Sequence, residues 1–359
     1  MSFHATYPFK LPPLPPNIEA FDENFIKLLI DARTELAELK GYSRVMPDPM
    51  LLLSPTILRE SVASSSIENI NTTVAEVLQA QLFPETERPE TNKEVLRYRE
   101  ALLNGYRMLK NNMPLSERLI NSIHGNLLPG DSSGIRRLQN KIINTATGAP
   151  IYTPPIASDV PKLLSNWAKF VNDETSDLDP LIRCAIGHYQ FEAIHPFLDG
   201  NGRTGRIVMV LMLARYKILD APVLFISGYI NSNRSEYYRL LLGVSMKGNW
   251  GEYLTFMIKG FAEQGKNTKQ LLFQIMNLFD STKSLVKEKH QKVYTRDLIE
   301  VLFTYPIITP AKLSEVLGVH RATATKYLNT LREGKILTDR IIGKYHLYIN
   351  EKLVSLINR

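Results

Sequence analysis

The sequence predicts a mainly α protein: a helical body interrupted by one β-hairpin and followed by a small mixed unit. Three observations carry this. Apolar residues recur at helical spacing through most of residues 17–277. The pattern breaks between Gly134 and Pro155, where Lys141-Ile-Ile-Asn and Ile151-Tyr-Thr flank a Thr-Gly turn. From Lys292 onward, helix-start, turn and strand signals crowd into a short basic segment.

Residues 1–50 read as an arm and a helix. Leu-Pro-Pro-Leu-Pro-Pro at 11–16 cannot continue a helix and suits an extended strap. Phe25, Leu28, Leu29, Ala32, Leu36 and Leu39 then repeat at helical spacing. Residues 51–112 form a helical region, with helices expected at 51–65, 71–81 and 91–111. Residues 113–265 form a core domain, with helices at 115–127, 159–172, 179–194, 203–217, 234–246 and 250–279, the hairpin, and a short strand at Val223–Ile226. Residues 266–291 read as a helical linker ending in a charged connector, Lys283 to Gln291. Residues 292–359 read as a separate, dispensable module.

The chain has 359 residues and a formal charge of +7. Residues 281–359 hold 14 Lys/Arg against 7 Asp/Glu, so the basic excess lies there and the preceding chain is balanced. The single cysteine, Cys184, excludes an intrachain disulfide and suits a reducing cytoplasm. The N-terminus lacks the pattern of a signal peptide. Arg215, Lys217 and Asp220 interrupt the most apolar stretch, Ile207 to Ile226, so no membrane span is expected.

The chemistry concentrates in His195-Pro-Phe-Leu-Asp-Gly-Asn-Gly-Arg-Thr-Gly-Arg206. Helical spacing leads in through Ile182, Ala185, Ile186, Tyr189 and Ala193, and resumes through Ile207, Val210, Leu211 and Ala214. This is a helix–loop–helix with glycines where the second helix starts. Unpaired N–H groups and the helix dipole favour an anion there, and Gly200 and Gly202 let a phosphate approach the backbone. Arg203 and Arg206, three apart, add charge on one face. Asp199 is a hard oxygen ligand suited to magnesium. His195 can act as a base near neutral pH. Together they describe phosphoryl or nucleotidyl transfer to an acceptor that loses a proton. Gly200-x-Gly202-x-x-Gly205 also spells a dinucleotide fingerprint, but a helix precedes it and no βαβ unit surrounds it.

His195 to Arg206 resembles the Fic motif, HPFx[DE]GNGRxxR, at every defined position. The flanks Gly187-His-Tyr-Gln-Phe-Glu-Ala-Ile and Ser227-Gly-Tyr-Ile-Asn-Ser-Asn-Arg-Ser-Glu-Tyr-Tyr match too, so the resemblance covers roughly residues 50 to 265. It implies a Fic-type helical core with a β-hairpin flap. It implies a protein adenylyltransferase that moves AMP from ATP, with Mg2+, to a Ser, Thr or Tyr hydroxyl of a target protein. His195 would then be the general base, Phe197 the anchor of the loop, and Asp199 the magnesium ligand. Backbone of Gly200, Asn201 and Gly202 would cradle the transferring phosphate, with Thr204 and Gly205 in the same ATP-binding turn. Arg203 and Arg206 would hold the outer phosphates. Asn233, Tyr229 and Tyr237 would line the nucleotide pocket.

Ser64-Ser-Ser-Ile-Glu68-Asn69 resembles the family's inhibitory motif, [ST]xxxE[GN]. Glu68 would pair with Arg206 and occupy the space wanted by the γ-phosphate. The hairpin at Gln139 to Pro155 resembles the flap, whose edge would take a target segment as an added strand. His188 and His124 read as buried structural groups, and no zinc spacing is present.

Thr309-Pro starts one C-terminal helix, Gly318-Val-His makes a turn, Arg321 to Arg332 forms a second helix, and Gly343-Lys344 joins two strands. This order resembles a winged helix domain. Arg321, Thr323, Thr325, Lys326 and Lys344 are residue types that contact DNA, and a protein-interaction role is the alternative. The leading function is an adenylyltransferase autoinhibited by Glu68. The same site used to remove AMP, and a DNA-binding regulator with a nucleotide-sensing core, are the competitors. The target, the acceptor residue and a homodimer stay open.

Overall fold

The computed structural model describes residues 3–44, 49–130, 134–144 and 147–358, with no account of the side chains of 49–54. Thr147 and Gly148 of the expected turn are described, while residues 145 and 146 before them lie outside the described residues. The described residues are mostly helical, with two small antiparallel sheets and no parallel strand pair.

Helix α1 (Glu23–Arg44) buries Phe25, Ala32, Leu36 and Leu39, the stripe its spacing predicts. Helix α2 (Pro49–Ile67) leads to Glu68 and Asn69. Helix α3 (Val74–Ala80) opens with a reciprocal capping box between Thr73 and Glu76. Helices α4 (Glu90–Lys110) and α5 (Glu117–Leu127) follow, then the flap strands β1 (Ile142–Ile143) and β2 (Pro150–Tyr152), paired Ile142 with Tyr152. Next come α6 (Val160–Asn172), α7 (Pro180–Ile194) and α8 (Asn201–Arg215). Helices α9 (Ile226–Ser232), α10 (Arg234–Lys247) and α11 (Trp250–Lys289) complete the body.

The centre is the α7–α8 pair. Ile207 to Leu213 are all fully buried, and nearly every side chain of α7 is buried. Helices apolar on all sides must be surrounded, and α2, α4, α5, α6 and α11 pack around them. Trp167 of α6 donates its indole N–H to the Gly187 carbonyl at 2.8 Å. The proline-rich arm is a strap on this body. Leu11 and Leu14 are buried, Asn166 brackets the Leu14 amide, and Gln190 donates to the Pro12 carbonyl at 2.9 Å.

Two elements differ from the sequence reading. Val223 to Phe225 are unpaired coil and α9 starts at Ile226, where a strand was expected. Val223 and Leu224 are buried by helices, so their β-branched and apolar character serves packing. The charged connector is the last turns of α11, a helix of 40 residues whose inner face, including Val286, stays buried.

The C-terminal elements are α12 (Arg296–Thr304), β3 (Ile307–Ile308), α13 (Pro310–Leu317), α14 (Arg321–Glu333), β4 (Thr338–Ile342), β5 (Tyr345–Ile349) and α15 (Glu351–Ile357). The strands lie in the order β3-β5-β4. This unit is docked on the body. Helices α12 and α15 pack on both α2 and α11, and Phe303 meets Phe279 edge-on at 5.1 Å. Lys344 pairs with Glu87 at 2.9 Å, and Tyr345 packs on Phe83.

Deleting residues from Lys292 onward would uncover apolar side chains worth ~1.5–3 kcal/mol each. Thermal unfolding of the shortened chain is expected on the order of 10 °C lower. An unchanged midpoint in a calorimetric scan would show the module to be dispensable, as its sequence suggested.

Candidate functional site

Helix α7 stops because His195 turns left-handed, φ 51°, and α8 starts after Gly200, φ 74°. A non-glycine residue at positive φ is held there by its surroundings. Arg136, 2% exposed, supplies much of that hold. It donates to the carbonyls of His195 at 2.8 Å, Pro155 at 2.6 Å and Leu138 at 3.3 Å, and its own amide donates to the Pro196 carbonyl at 2.8 Å. One side chain thus ties the loop to the base of the flap. Tyr152 of β2 adds a 2.9 Å bond to the Ala193 carbonyl.

Between the helices, Phe197 is fully buried and stacks on the His124 ring, centroids 3.8 Å apart and planes 7° apart. His124 Nε2 lies 3.0 Å from the Asp199 carbonyl. The Asn201 amide closes the loop on itself, accepting from the Phe197 N–H at 2.8 Å and donating to the Phe197 carbonyl at 2.9 Å.

The first N–H groups of α8, those of Asn201, Gly202 and Arg203, have no partner within the helix. The Gly200 N–H is already used by Asp199 Oδ1 at 2.6 Å, so Gly200 contributes its conformation to the cradle and not its donor. Gly202 leaves the cradle open: a Cβ there would lie 2.5 Å from Glu68 Oε1 and 2.9 Å from Arg206. Gly205 serves a different neighbour, since a Cβ would come within 3 Å of the Phe191 ring and collide with Glu192.

Arg206 is 1% exposed and held by three hydrogen bonds. It donates to Ser64 Oγ at 2.8 Å, to the Ser64 carbonyl at 3.0 Å and to Glu68 Oε1 at 2.8 Å. Burial works to raise the Glu68 carboxyl, but Arg206, with Arg203 and Arg234, outweighs it and holds the group below the usual carboxylate range. Asn69, at φ 63°, turns the chain after Glu68 and accepts from Arg234 at 3.1 Å. Gly and Asn tolerate that left-handed conformation best, which gives the [GN] position its reason. Arg203 is bound by Glu94 of α4 at 2.8 Å, with Asp199 3.9 Å away. Thr204 is fully buried, its Oγ1 without a partner among the described residues.

His195 Nδ1 lies 3.3 Å from the Glu192 carbonyl. With its Nδ1–H donating there, the lone pair stays on Nε2. Burial pushes the imidazole down to about 4, so it is a free base at neutral pH.

A cavity of about 600 Å³ joins these groups; Glu68, Asn69, His195, Gly202, Arg206 and Tyr237 line it, and flap residues Lys141 to Asn144 cover one side. Asp199 sits outside, its side chain 77% exposed at the lip. Tyr229 and Asn233 are not brought here, which corrects the expectation that they line this pocket. They line a separate cleft with Trp250 and Phe256, because Tyr229 packs on Phe256 and the Asn233 amide turns back to the Tyr229 carbonyl at 2.9 Å. Tyr237 is buried with its hydroxyl 2.7 Å from His188 Nε2, and burial keeps that imidazole neutral, at about 3.

Sequence reasoning missed Glu192, Arg136 and the loop-bearing role of His124. Glu192 lines the cavity; its Oε1 has no partner among the described residues, and burial pushes its carboxyl up to about 7 against the pull of Arg206. It stood in the quoted flank, one turn before His195, where helical spacing puts both on one side of α7. Arg136 carried no local signal.

Among the described residues no group of three or more His, Cys, Asp or Glu could hold a metal ion. A lone exposed carboxylate still fits magnesium, which keeps several waters and takes further ligands from substrate phosphates.

Fold and loop together define a helical protein with an anion cradle beside a neutral imidazole. The Fic/DOC family N-terminal profile matches residues 26–107, the Fic/DOC family profile residues 114–213, and the profile of the protein adenylyltransferase SoFic-like C-terminal domain residues 278–353. The chain belongs to the Fic/DOC family. It is 28% identical over 234 residues to protein adenylyltransferase fic-1 of Caenorhabditis briggsae, covering 63% of this chain and 43% of that one. It is 37% identical over 93 residues to protein adenylyltransferase Fic of Drosophila melanogaster, 25% of this chain and 17% of the relative. The chain thus spans less than half the length of these relatives. A Fic family protein from Desulfovibrio desulfuricans G20 shares the fold with a TM-score of 0.59 at 21% identity, over 92% of this chain and 97% of that one. A Fic domain containing signaling protein from Bacteroides thetaiotaomicron VPI-5482 gives a TM-score of 0.56 at 19% identity, over 68% and 96%.

Followed by NMR, the His195 ring is expected to titrate near pH 4 and to be neutral at pH 7. Its folded-state value lies below the ordinary ~6.5, so the unfolded chain binds the extra proton and stability falls as pH drops through that window. A midpoint above 6.5 would remove the argument for a free base.

Proposed function

We propose that this chain is a protein adenylyltransferase that transfers AMP from ATP to a Ser, Thr or Tyr hydroxyl and is held inactive by Glu68. One observation carries the reading: the Glu68 carboxylate lies over Gly202 and on Arg206, where an outer phosphate of a nucleotide would sit. An anion of the chain occupies the anion site.

In the proposed reaction His195 Nε2 takes the proton of the acceptor hydroxyl. The acceptor oxygen bonds to the α-phosphorus, and the bond to the bridging oxygen of pyrophosphate breaks. Free N–H groups at the start of α8 receive the charge of the transferring phosphate. Arg206, and Arg203 once released from Glu94, would hold the outer phosphates. Asp199 would hold magnesium, which supplies charge neutralisation for those phosphates. The flap, with Ile143 and Ile151 exposed, offers an edge on which a target segment could add as a strand. The same groups serve the removal of AMP if Glu68 orients water instead of blocking the nucleotide. A DNA contact is proposed through α14, whose Arg321 and Lys326 are exposed, whereas Lys344 at the strand turn is taken by Glu87. The buried thiol of Cys184 suits a reducing compartment such as the cytoplasm.

His195→Ala is expected to reduce transfer of label from ATP by ~10²–10⁴-fold while nucleotide binding persists. Undiminished transfer would take the proton-accepting role away from His195. Glu68→Gly is expected to raise automodification, and to do so only while Arg206 is present. Measured for wild type, Glu68→Gly, Arg206→Ala and the double variant, equal activity of the first two rejects autoinhibition. Loss of AMP removal from a pre-modified target in Glu68→Gly would support the hydrolytic reading instead.

A further inference from the structure

Helix α2 has two working faces. Glu60 and Ser64, with Glu68 just past its end, point into the body, toward Ser227 and Arg206. Arg59, Val62, Ala63 and Ser66, at i, i+3, i+4 and i+7, line a cleft of about 870 Å³ on the other side. Its far wall is α11, through Gln264 and Gln270 among others, and its floor includes the end of α15.

The lining is rich in amides and hydroxyls and contains no carboxylate side chain. Arg59 is its cation. The guanidinium lies 4.5 Å over the Phe225 ring, and among the described residues it has no carboxylate partner. Phe225 is fixed in turn by Gly228, where a Cβ would lie 2.6 Å from the ring's end carbon. Burial works against the charge of Arg59. Gln264 is 7% exposed, and its Oε1 has no hydrogen-bond partner among the described residues. Ser66 is held only by bonds of 3.4 Å to Asn71 and Asn231. A half-buried cation without an anion and a buried amide without a partner are both costly unless something satisfies them.

We propose that this cleft binds a small oxyanion, a phosphate or carboxylate bearing further hydrogen-bonding groups. The anion takes the Arg59 guanidinium, and a hydroxyl it carries donates to Gln264 Oε1, with Ser66 within the same cleft. Bridging α2 to α11, the occupant fixes the helix that presents Glu68 and so strengthens inhibition. This last step rests on the adenylyl-transfer reading, whereas binding does not.

The test uses the full chain and two probes, inorganic phosphate and glycolate, each an oxyanion that also carries a hydroxyl donor, with the Gln264 side-chain amide followed by NMR. Saturable shifts are expected with at least one probe, and which probe acts separates phosphate from carboxylate. Affinity should fall about tenfold or more in Arg59→Gln. It should be unchanged in Arg203→Gln, which removes a cation at the start of α8 that pairs with Glu94 of α4 and not with α2. Gln264→Leu, read through the Arg59 guanidinium signal, should weaken binding while leaving the fold intact. No shift with either probe, equal affinity in Arg59→Gln, or loss of binding in Arg203→Gln would overturn the proposal. Automodification of wild type should fall with the active probe more than that of Arg59→Gln, and equal sensitivity would remove the regulatory step. If no variant automodifies while binding behaves as expected, the transfer reading fails and the site stands.

Discussion

The Arg206 guanidinium organises this protein. A cation buried this deeply needs partners for its donors, and Ser64 and Glu68, on or just past α2, take three hydrogen bonds from it. That requirement docks α2 against α8 and brings a carboxylate over Gly202, which has room for it because it carries no Cβ. Glu60, further along α2, accepts from Tyr98 at 3.1 Å and from the Ser227 amide at 2.9 Å, so the same helix is pinned a second time. In the proposed function, inhibition and stability are therefore coupled: the ion pair that holds Glu68 over Gly202 also seats the helix.

The loop is built to keep its shape without its ligand. His195 and Gly200 carry the left-handed turns, and Phe197, His124, Asn201 and Arg136 supply the packing and hydrogen bonds that offset them. The groups expected to do chemistry lean on these supports for position, in keeping with catalysis by preorganised geometry. Half-buried Glu192 is the exception, a carboxylate lining the cavity whose Oε1 has no hydrogen-bond partner among the described residues.

Around this centre, the arm and the C-terminal unit act as outer packing. The strap covers α6 and α7, and α12 and α15 cover α2 and α11. Helix α2, which leads to Glu68, is thus touched by the core on one face and by the C-terminal unit on another.

By itself the sequence determined whatever is local. Helical spacing marked the long helices, Thr and Pro marked their starts, and the twelve residues from His195 to Arg206 carried base, cradle and cations within one loop. Even the Glu68–Arg206 pairing was legible, through resemblance to a family pattern. The tertiary structure decided what depends on distant neighbours. It turned the expected strand at Val223–Ile226 into coil and helix, extended α11 through the charged connector, and sent Tyr229 and Asn233 to another cleft. It brought in Arg136 and His124, which lie 59 and 71 residues before His195 and contact the loop only through the fold. Periodicity records which face of a helix is apolar; which partner that face meets is set by packing of the whole chain.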